Sequence, residues 1–391
     1  MDGSDASDES YLDYNATAPV RPEAYAAVCE AMQLVGNASS THAAGQQAAH
    51  RVDVARRQLA DLLGCSPGEL IFTSGATEAN NLALRAAFAP GDPLVTSPAE
   101  HPAVLETARA VTAGSPDELV LLPVGVDGLV DLDALSQVFA TRRGGLVSLM
   151  AANNETGVLT DLRVAAKAAH EADALVHTDA TQLIGRLPVD VTELDVDLLS
   201  LSAHKFGGPQ GAGALFVRRG VPLPHRPLLV GGGQERGWRA GTLNVAGIAG
   251  MGAASEAARH SLAEEVERVR ALRDRLEHLI AGALPDCRLN GRRDQRLPGV
   301  TSITIPGVPA DAVLAAMPDV SASEGSACAS GAPTPSHVLL AMGLTREDAD
   351  STIRFSLGYA TTVDEIDHAA QAVKRAVMQV RAALTEAHHP R

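Results

Sequence analysis

The chain has 391 residues, 46% of them apolar and 3% aromatic, which is enough for a large core and for two domains. Its formal net charge of -15 argues against a nucleic-acid partner, because neutralising phosphates takes clustered Lys and Arg. No stretch approaches the roughly 18 uninterrupted apolar residues of a membrane span. The start, MDGSDASDES, lacks the basic and apolar regions of a signal peptide, so a cytoplasmic protein with no membrane partner is expected.

In chain order, YLDYN reads as a strand that joins a second domain or bridges two. Ala43 to Leu63 reads as a helix ended by Gly64. ELIFTSG is a short apolar strand running into a turn, and ATEANNLALRAAF opens a helix. PLVTSPAEH, GGLVSLMAANNE, DALVHTDATQ and DVDLLSLSAHK repeat the strand-then-polar-loop pattern. Such alternation predicts an α/β fold, with a largely parallel sheet covered by helices on both faces. A highly charged helix from about Leu262 to Ile280 is followed by mixed short strands and helices. The expected division is a large domain over 16–261, and a smaller α+β domain made of 1–15 and 262–391.

Open α/β sheets bind ligands at the carboxyl ends of their strands. The loops TSGATE, AEHPAV, NNETG, TDATQ and SAHKFGG are therefore expected to converge on one crevice. Lys205 follows the apolar strand DVDLLSLS, and a lysine partly withdrawn from water makes a good imine-forming amine; a surface lysine is the plainer reading. Ser202, His204, Gly207 and Gly208 around it suit a bound phosphate. Asp179 could pair with a protonated ring nitrogen or cap the next helix, and Gln182 could donate to an oxygen on the same ring. Gly75, Ala76 and Thr77 open a helix whose free amides suit phosphate, unless Thr77 is simply a cap. His101 could stack on an aromatic cofactor and exchange protons, although lone histidines are more often structural. Arg354 in RFSLG offers a fork for a carboxylate or a surface salt bridge.

The four cysteines, Cys29, Cys65, Cys287 and Cys328, form no CxxC pair, and disulfides are not expected. Cys328 differs from the rest because it lies in VSASEGSACASGAPTPSHV, among small residues with almost no bulky anchor. That suits a reachable nucleophile or an accidental surface thiol.

Taken together these segments resemble the NifS/IscS-type cysteine desulfurases, within the class V aminotransferase-like enzymes of fold type I. The shared segments, in the family's order, include GNASSTH, IFTSGATEANN, EHPAV, NNETG and HTDATQ. They continue with SAHKFGGPQGAGALFVRR, GGGQERGWRAGT, EGSACASG and IRFSLG, so the resemblance covers nearly the whole chain. It implies a large domain with a mainly parallel seven-stranded sheet, a smaller domain carrying the cysteine loop, and pyridoxal 5'-phosphate as cofactor. Lys205 would hold that cofactor as an imine, Asp179 would pair with its ring nitrogen, Gln182 would bond the ring oxygen, and His101 would stack on the ring. Ala76, Thr77, Ser202 and His204 would bind its phosphate, and Thr242 would reach the phosphate in a neighbouring subunit of a homodimer. Asn154, which would also touch the cofactor, and Arg354 would hold the carboxylate side of L-cysteine.

In that family pattern Cys328 takes the substrate sulfur as a persulfide and leaves alanine, for delivery to a scaffold or acceptor in iron–sulfur cluster assembly or other sulfur trafficking. No resident metal is implied, although Cys328 could ligate a transferred iron–sulfur cluster. Glu324, just ahead of the shared GSAC, is a departure that could raise the Cys328 pKa. Selenocysteine lyase, another class V reaction, and a non-catalytic cofactor-holding partner protein are the competing readings. An intact Lys205, His101 and Cys328 set argues against the last.

Overall fold

The computed structural model describes residues 9–223, 227–325 and 334–388. Its centre is a seven-stranded sheet in the order Leu70–Thr73, Gly213–Val217, Leu198–Ser202, Leu175–Asp179, Leu146–Ser148, Leu94–Thr96, Leu119–Leu121. Gly213–Val217 runs antiparallel to both its neighbours, and every other pairing is parallel. Leu198–Ser202 is buried at every residue, as expected of a strand covered on both faces, which therefore shows no polar alternation.

Local signals set the helices around it. The helix Ala43–Leu63 ends as the sequence predicts, on Gly64 at φ 68, a left-handed position that glycine takes without strain. The helix Pro102–Val111 begins with Pro at its first position, where the missing N–H would have had no partner.

A second, four-stranded antiparallel sheet has the order Ser323–Glu324, Thr352–Ser356, Val300–Thr304, Arg288–Leu289. The helix Val363–His388 covers its core, and Ile366, Ala369 and Val373 pack with Ile303, Ile353 and Phe355. YLDYN bridges the two parts. Ser10–Tyr11 pairs in parallel with Val320–Ser321, and Leu12 is buried in the second core. Asn15 reaches across, its Nδ2 donating to Asn154 O at 2.8 Å.

One helix is longer than its sequence pattern suggests. It runs unbroken from Val245 to Ala283, 39 residues, through position 261. Ile248, Met251 and Ala254 pack under the large sheet, whereas Val269, Leu272, Leu276 and Ile280 belong to the second core. Its first half is rich in Gly and Ala, which hides the helical period but allows close packing. A Cβ on Gly252 would come within 2.5 Å of Ala55 Cα. Among the described residues no helix is long and apolar enough to cross a membrane.

Candidate active site

The strands Leu70–Thr73, Leu198–Ser202 and Leu175–Asp179 all end at the same edge of the large sheet. The polar loops that follow them enclose a cavity of about 380 Å³, so the predicted convergence is observed. At one end lies the turn Ser74–Thr77. Gly75 is the N-cap of the helix Ala76–Ala87, at φ 154 and ψ -179 with no side-chain cap, a backbone region essentially confined to glycine. Thr77 is thus inside the first turn and is not the cap. Close approach also requires a bare neighbour, since a Cβ on Gly213 would sit 2.6 Å from Gly75 Cα. First-turn amides have no partner within a helix, and here they open beside Ser202 and His204. His204 Nδ1 lies 3.1 Å from Thr17 Oγ1. Burial first, then the nearby Lys205 and Arg186 charges, push its pKa down to about 4.

On the cavity floor Asp179 is 6% exposed. Its Oδ1 accepts from Thr181 N at 2.9 Å, and its Oδ2 accepts from Asn80 Nδ2 at 2.6 Å. Gln182 Nε2 donates to Asn15 O at 3.1 Å. Lys205 stands in the short turn Ala203–Lys205, with its Nζ donating to Asn15 O at 2.5 Å and Ala16 O at 2.8 Å. His101 caps the helix Pro102–Val111, its Nδ1 accepting from Ala103 N at 3.1 Å. Burial lowers the His101 pKa, opposed by Asp179 and reinforced by Lys205 and His337. The ring is therefore neutral at neutral pH, and with Nδ1 accepting, its proton sits on Nε2.

Asn154 lines the same cavity. Behind it lies Arg354, on the strand Thr352–Ser356. Its Nη1 donates to Asn154 O at 3.1 Å and its Nη2 to Asp13 Oδ1 at 2.7 Å, while the buried Nε has no partner. Arg354 is thus a buried ion-pair member that reaches the cavity through Asn154, and not a surface salt bridge.

The structure brings Ala76, Thr77, Ser202, His204 and Lys205 to the cavity wall, and likewise His101, Asn154, Asp179 and Gln182. Thr242 is exposed and outside this wall. Cys328 lies outside the described residues. Of the other thiols, burial pushes the Cys65 pKa up to about 12 and also raises that of Cys287, which disfavours the reactive thiolate. Glu324 lies on the edge strand Ser323–Glu324, and burial, with Asp311 and Asp350, raises its pKa.

Sequence reasoning missed Asn80, Asn15, Glu100 and Glu155. Asn80 is fully buried within the already noted TSGATEANN, and a polar residue at an inward helix position could have betrayed it. Glu100 is fully buried next to His101, its Oε1 accepting from Met150 N at 2.7 Å, and burial raises its pKa well above the usual carboxylate range.

Comparison with known proteins identifies the family. The family model described as "Aminotransferase class-V" matches residues 10–368. A protein named "Cysteine desulfurase IscS" from Histophilus somni (strain 129Pt) is 43% identical over 379 residues, covering 95% of this chain and 93% of that protein. A "Cysteine desulfurase" from Frankia sp. (strain EuIK1) is 45% identical over 393 residues, covering 95% and 92%. The solved structure titled "NIFS-LIKE PROTEIN" matches with a TM-score of 0.88 at 33% identity, over 95% of this chain and all of that one. The chain belongs to the class-V aminotransferase family, with the fold type I architecture and in its pyridoxal-phosphate-dependent cysteine desulfurase branch.

Proposed function

We propose that this chain takes sulfur from L-cysteine onto Cys328 as a persulfide and releases alanine. The observation that carries the reading is the unsatisfied chemistry of the cavity. Asn80 Oδ1, Asn154 Oδ1, Thr181 Oγ1 and Gln182 Oε1 all line it, buried and without a hydrogen-bond partner. Buried polar atoms are nearly always paired, so several left open on one wall suit a polar molecule seated against them. Pyridoxal phosphate fits the donor set. The first-turn amides at Ala76 and Thr77, with Ser202 and His204, would hold its phosphate. Asp179 would face the ring nitrogen, Gln182 the ring oxygen, and Lys205 would anchor the aldehyde carbon. When bound, this cofactor supplies an electron sink for the Cα carbanion of the amino acid.

The chain's own groups do the remaining work. Asn154, backed by Arg354, orients the substrate carboxylate through a charge-assisted bond. Lys205 Nζ takes the Cα proton. His101, neutral with its proton on Nε2, would lie against the ring and donate an Nε2–H hydrogen bond to the substrate, while Lys205, now an ammonium, returns its proton to carbon. Cys328 Sγ attacks the substrate sulfur, the C–S bond breaks with its electron pair going to carbon, and protonation of that carbon yields alanine. The persulfide is then available to a sulfur acceptor or scaffold protein.

The same proposal divides the chain into a large domain of 16–261 and a smaller one of 1–15 with 262–391. It also makes the protein a homodimer, in which the exposed Thr242 on GGGQERGWRAGT serves the neighbouring subunit's phosphate. The test is incubation with L-cysteine followed by assay of alanine and by mass spectrometry of the protein. Stoichiometric alanine with added sulfur at Cys328 is expected. Selenide released from selenocysteine with no alanine from cysteine would instead establish the selenocysteine lyase reading.

A further inference from the structure

We infer that Asn80 is a positioning residue that sets the orientation of the Asp179 carboxylate toward the cofactor ring; this rests on the cofactor reading just given. Asn80 lies one turn into the helix Ala76–Ala87, at i+4 from Ala76, so the helix that presents its amides to the phosphate also carries this side chain. Its Nδ2 donates to Asp179 Oδ2 at 2.6 Å, while Thr181 N holds Oδ1 at 2.9 Å. Each carboxylate oxygen thus receives one fixed donor from a different element, which determines the plane of the group.

The other end of Asn80 argues against a merely structural amide. Asn80 is 0% exposed, yet its Oδ1 has no partner and the residue lines the cavity. A buried acceptor left unpaired costs more than a typical hydrogen bond contributes. An apolar residue of the same shape would serve packing better, so the amide is explained by its donation to Asp179. An amide is also the right donor chemically. It brings no charge of its own, so the pairing of Asp179 with a protonated ring nitrogen meets no competing ion.

The test uses holoenzyme reconstituted with pyridoxal phosphate labelled with nitrogen-15 in the ring. The variants are Asn80→Leu, which keeps the branched shape and loses the donor, and Asn80→Ala. Asn80→Ser, which retains a short donor, is the conservative rescue. The ring-nitrogen chemical shift is followed against pH, alongside the cofactor dissociation constant and the melting temperature. The ring-nitrogen titration midpoint is expected to fall by roughly one to two pH units in the Leu and Ala variants. This corresponds to a 10- to 100-fold weakening, the scale of one hydrogen bond to a charged group. Asn80→Ser should recover part of that shift. A midpoint unchanged from wild type in a folded Leu or Ala variant overturns the inference. A wild type that binds no cofactor, or whose ring nitrogen is unprotonated with Asp179→Asn behaving identically, overturns the cofactor reading itself and is distinct from that result.

Discussion

Glu155 offers a quantitative test of how the site is built. It is 3% exposed, its Oε2 accepts from Ser336 Oγ, and a Cβ on Gly325 would come within 2.6 Å of that oxygen. It therefore sits where Gly325 and Ser336 meet NNETG. Burial pushes its carboxyl from 4.5 to about 7, against the pull of the Ser336 hydrogen bond and the Arg354 charge. A rise of about 2.5 pH units is equivalent to about 3.4 kcal/mol at about 1.36 kcal/mol per unit.

The sign follows from linkage. Between about pH 4.5 and 7 the folded protein holds a proton that the unfolded chain releases. Stability from this group is therefore present below the unfolded pKa and is lost as pH rises, levelling off above about 7. Glu155→Gln keeps the shape and an acceptor for Ser336, and it never ionises. The variant should match wild type near pH 4.5 and be up to about 3.4 kcal/mol more stable at pH 8. With a melting entropy of about 2.1 cal/mol/K per residue, this chain has roughly 0.8 kcal/mol/K in total, so the melting temperatures should separate by up to about 4 °C at pH 8. Thermal scans of both proteins at one heating rate, from pH 4.5 to 8, measure this. A constant offset across that range, or two parallel curves, would refute the argument, because neither depends on ionisation at residue 155.

Lys205→Ala should abolish the yellow colour and the borohydride-reducible link to the protein; a reducible link that survives removes Lys205 as the anchor. Cys328→Ser should keep cofactor binding and lose sulfur transfer, and wild type treated with cysteine should carry added sulfur at Cys328, whereas sulfur appearing at Cys29, Cys65 or Cys287 would falsify that role. A phosphate dianion beside His204 should raise its pKa from about 4, so cofactor binding should take up a proton near pH 5 to 6 and tighten as pH falls through that window. Calorimetry in two buffers of different ionisation enthalpy reads the uptake, and an equal uptake in His204→Gln would rule this source out. Light scattering should give twice the chain mass, and a fully active single chain would exclude the shared site proposed for Thr242.

Order along the chain makes much of this protein legible before any tertiary contact is considered. Strands that are apolar throughout and end in TSG, HTD or SAHK announce a covered parallel sheet, because buried strands cannot alternate and ligand-facing polarity collects at their ends. Gly64 marks its helix end through its left-handed φ. These are local effects, carried by a few neighbouring residues. The helix Val245–Ala283 escaped because Gly and Ala in its first half carry no apolar stripe. Only its packing against Val28 and Ala55 reveals why small residues are needed there. Arg354 read as a fork for a carboxylate or a surface salt bridge and is in fact a buried strand residue held by Asp13, 341 positions away. Asn80 and Glu155 likewise gain meaning only from partners on other elements, Asp179 and Ser336. Which polar atom faces which, and how far burial shifts a carboxyl, depend on desolvation by the whole packed chain, a quantity that no local stretch of sequence contains.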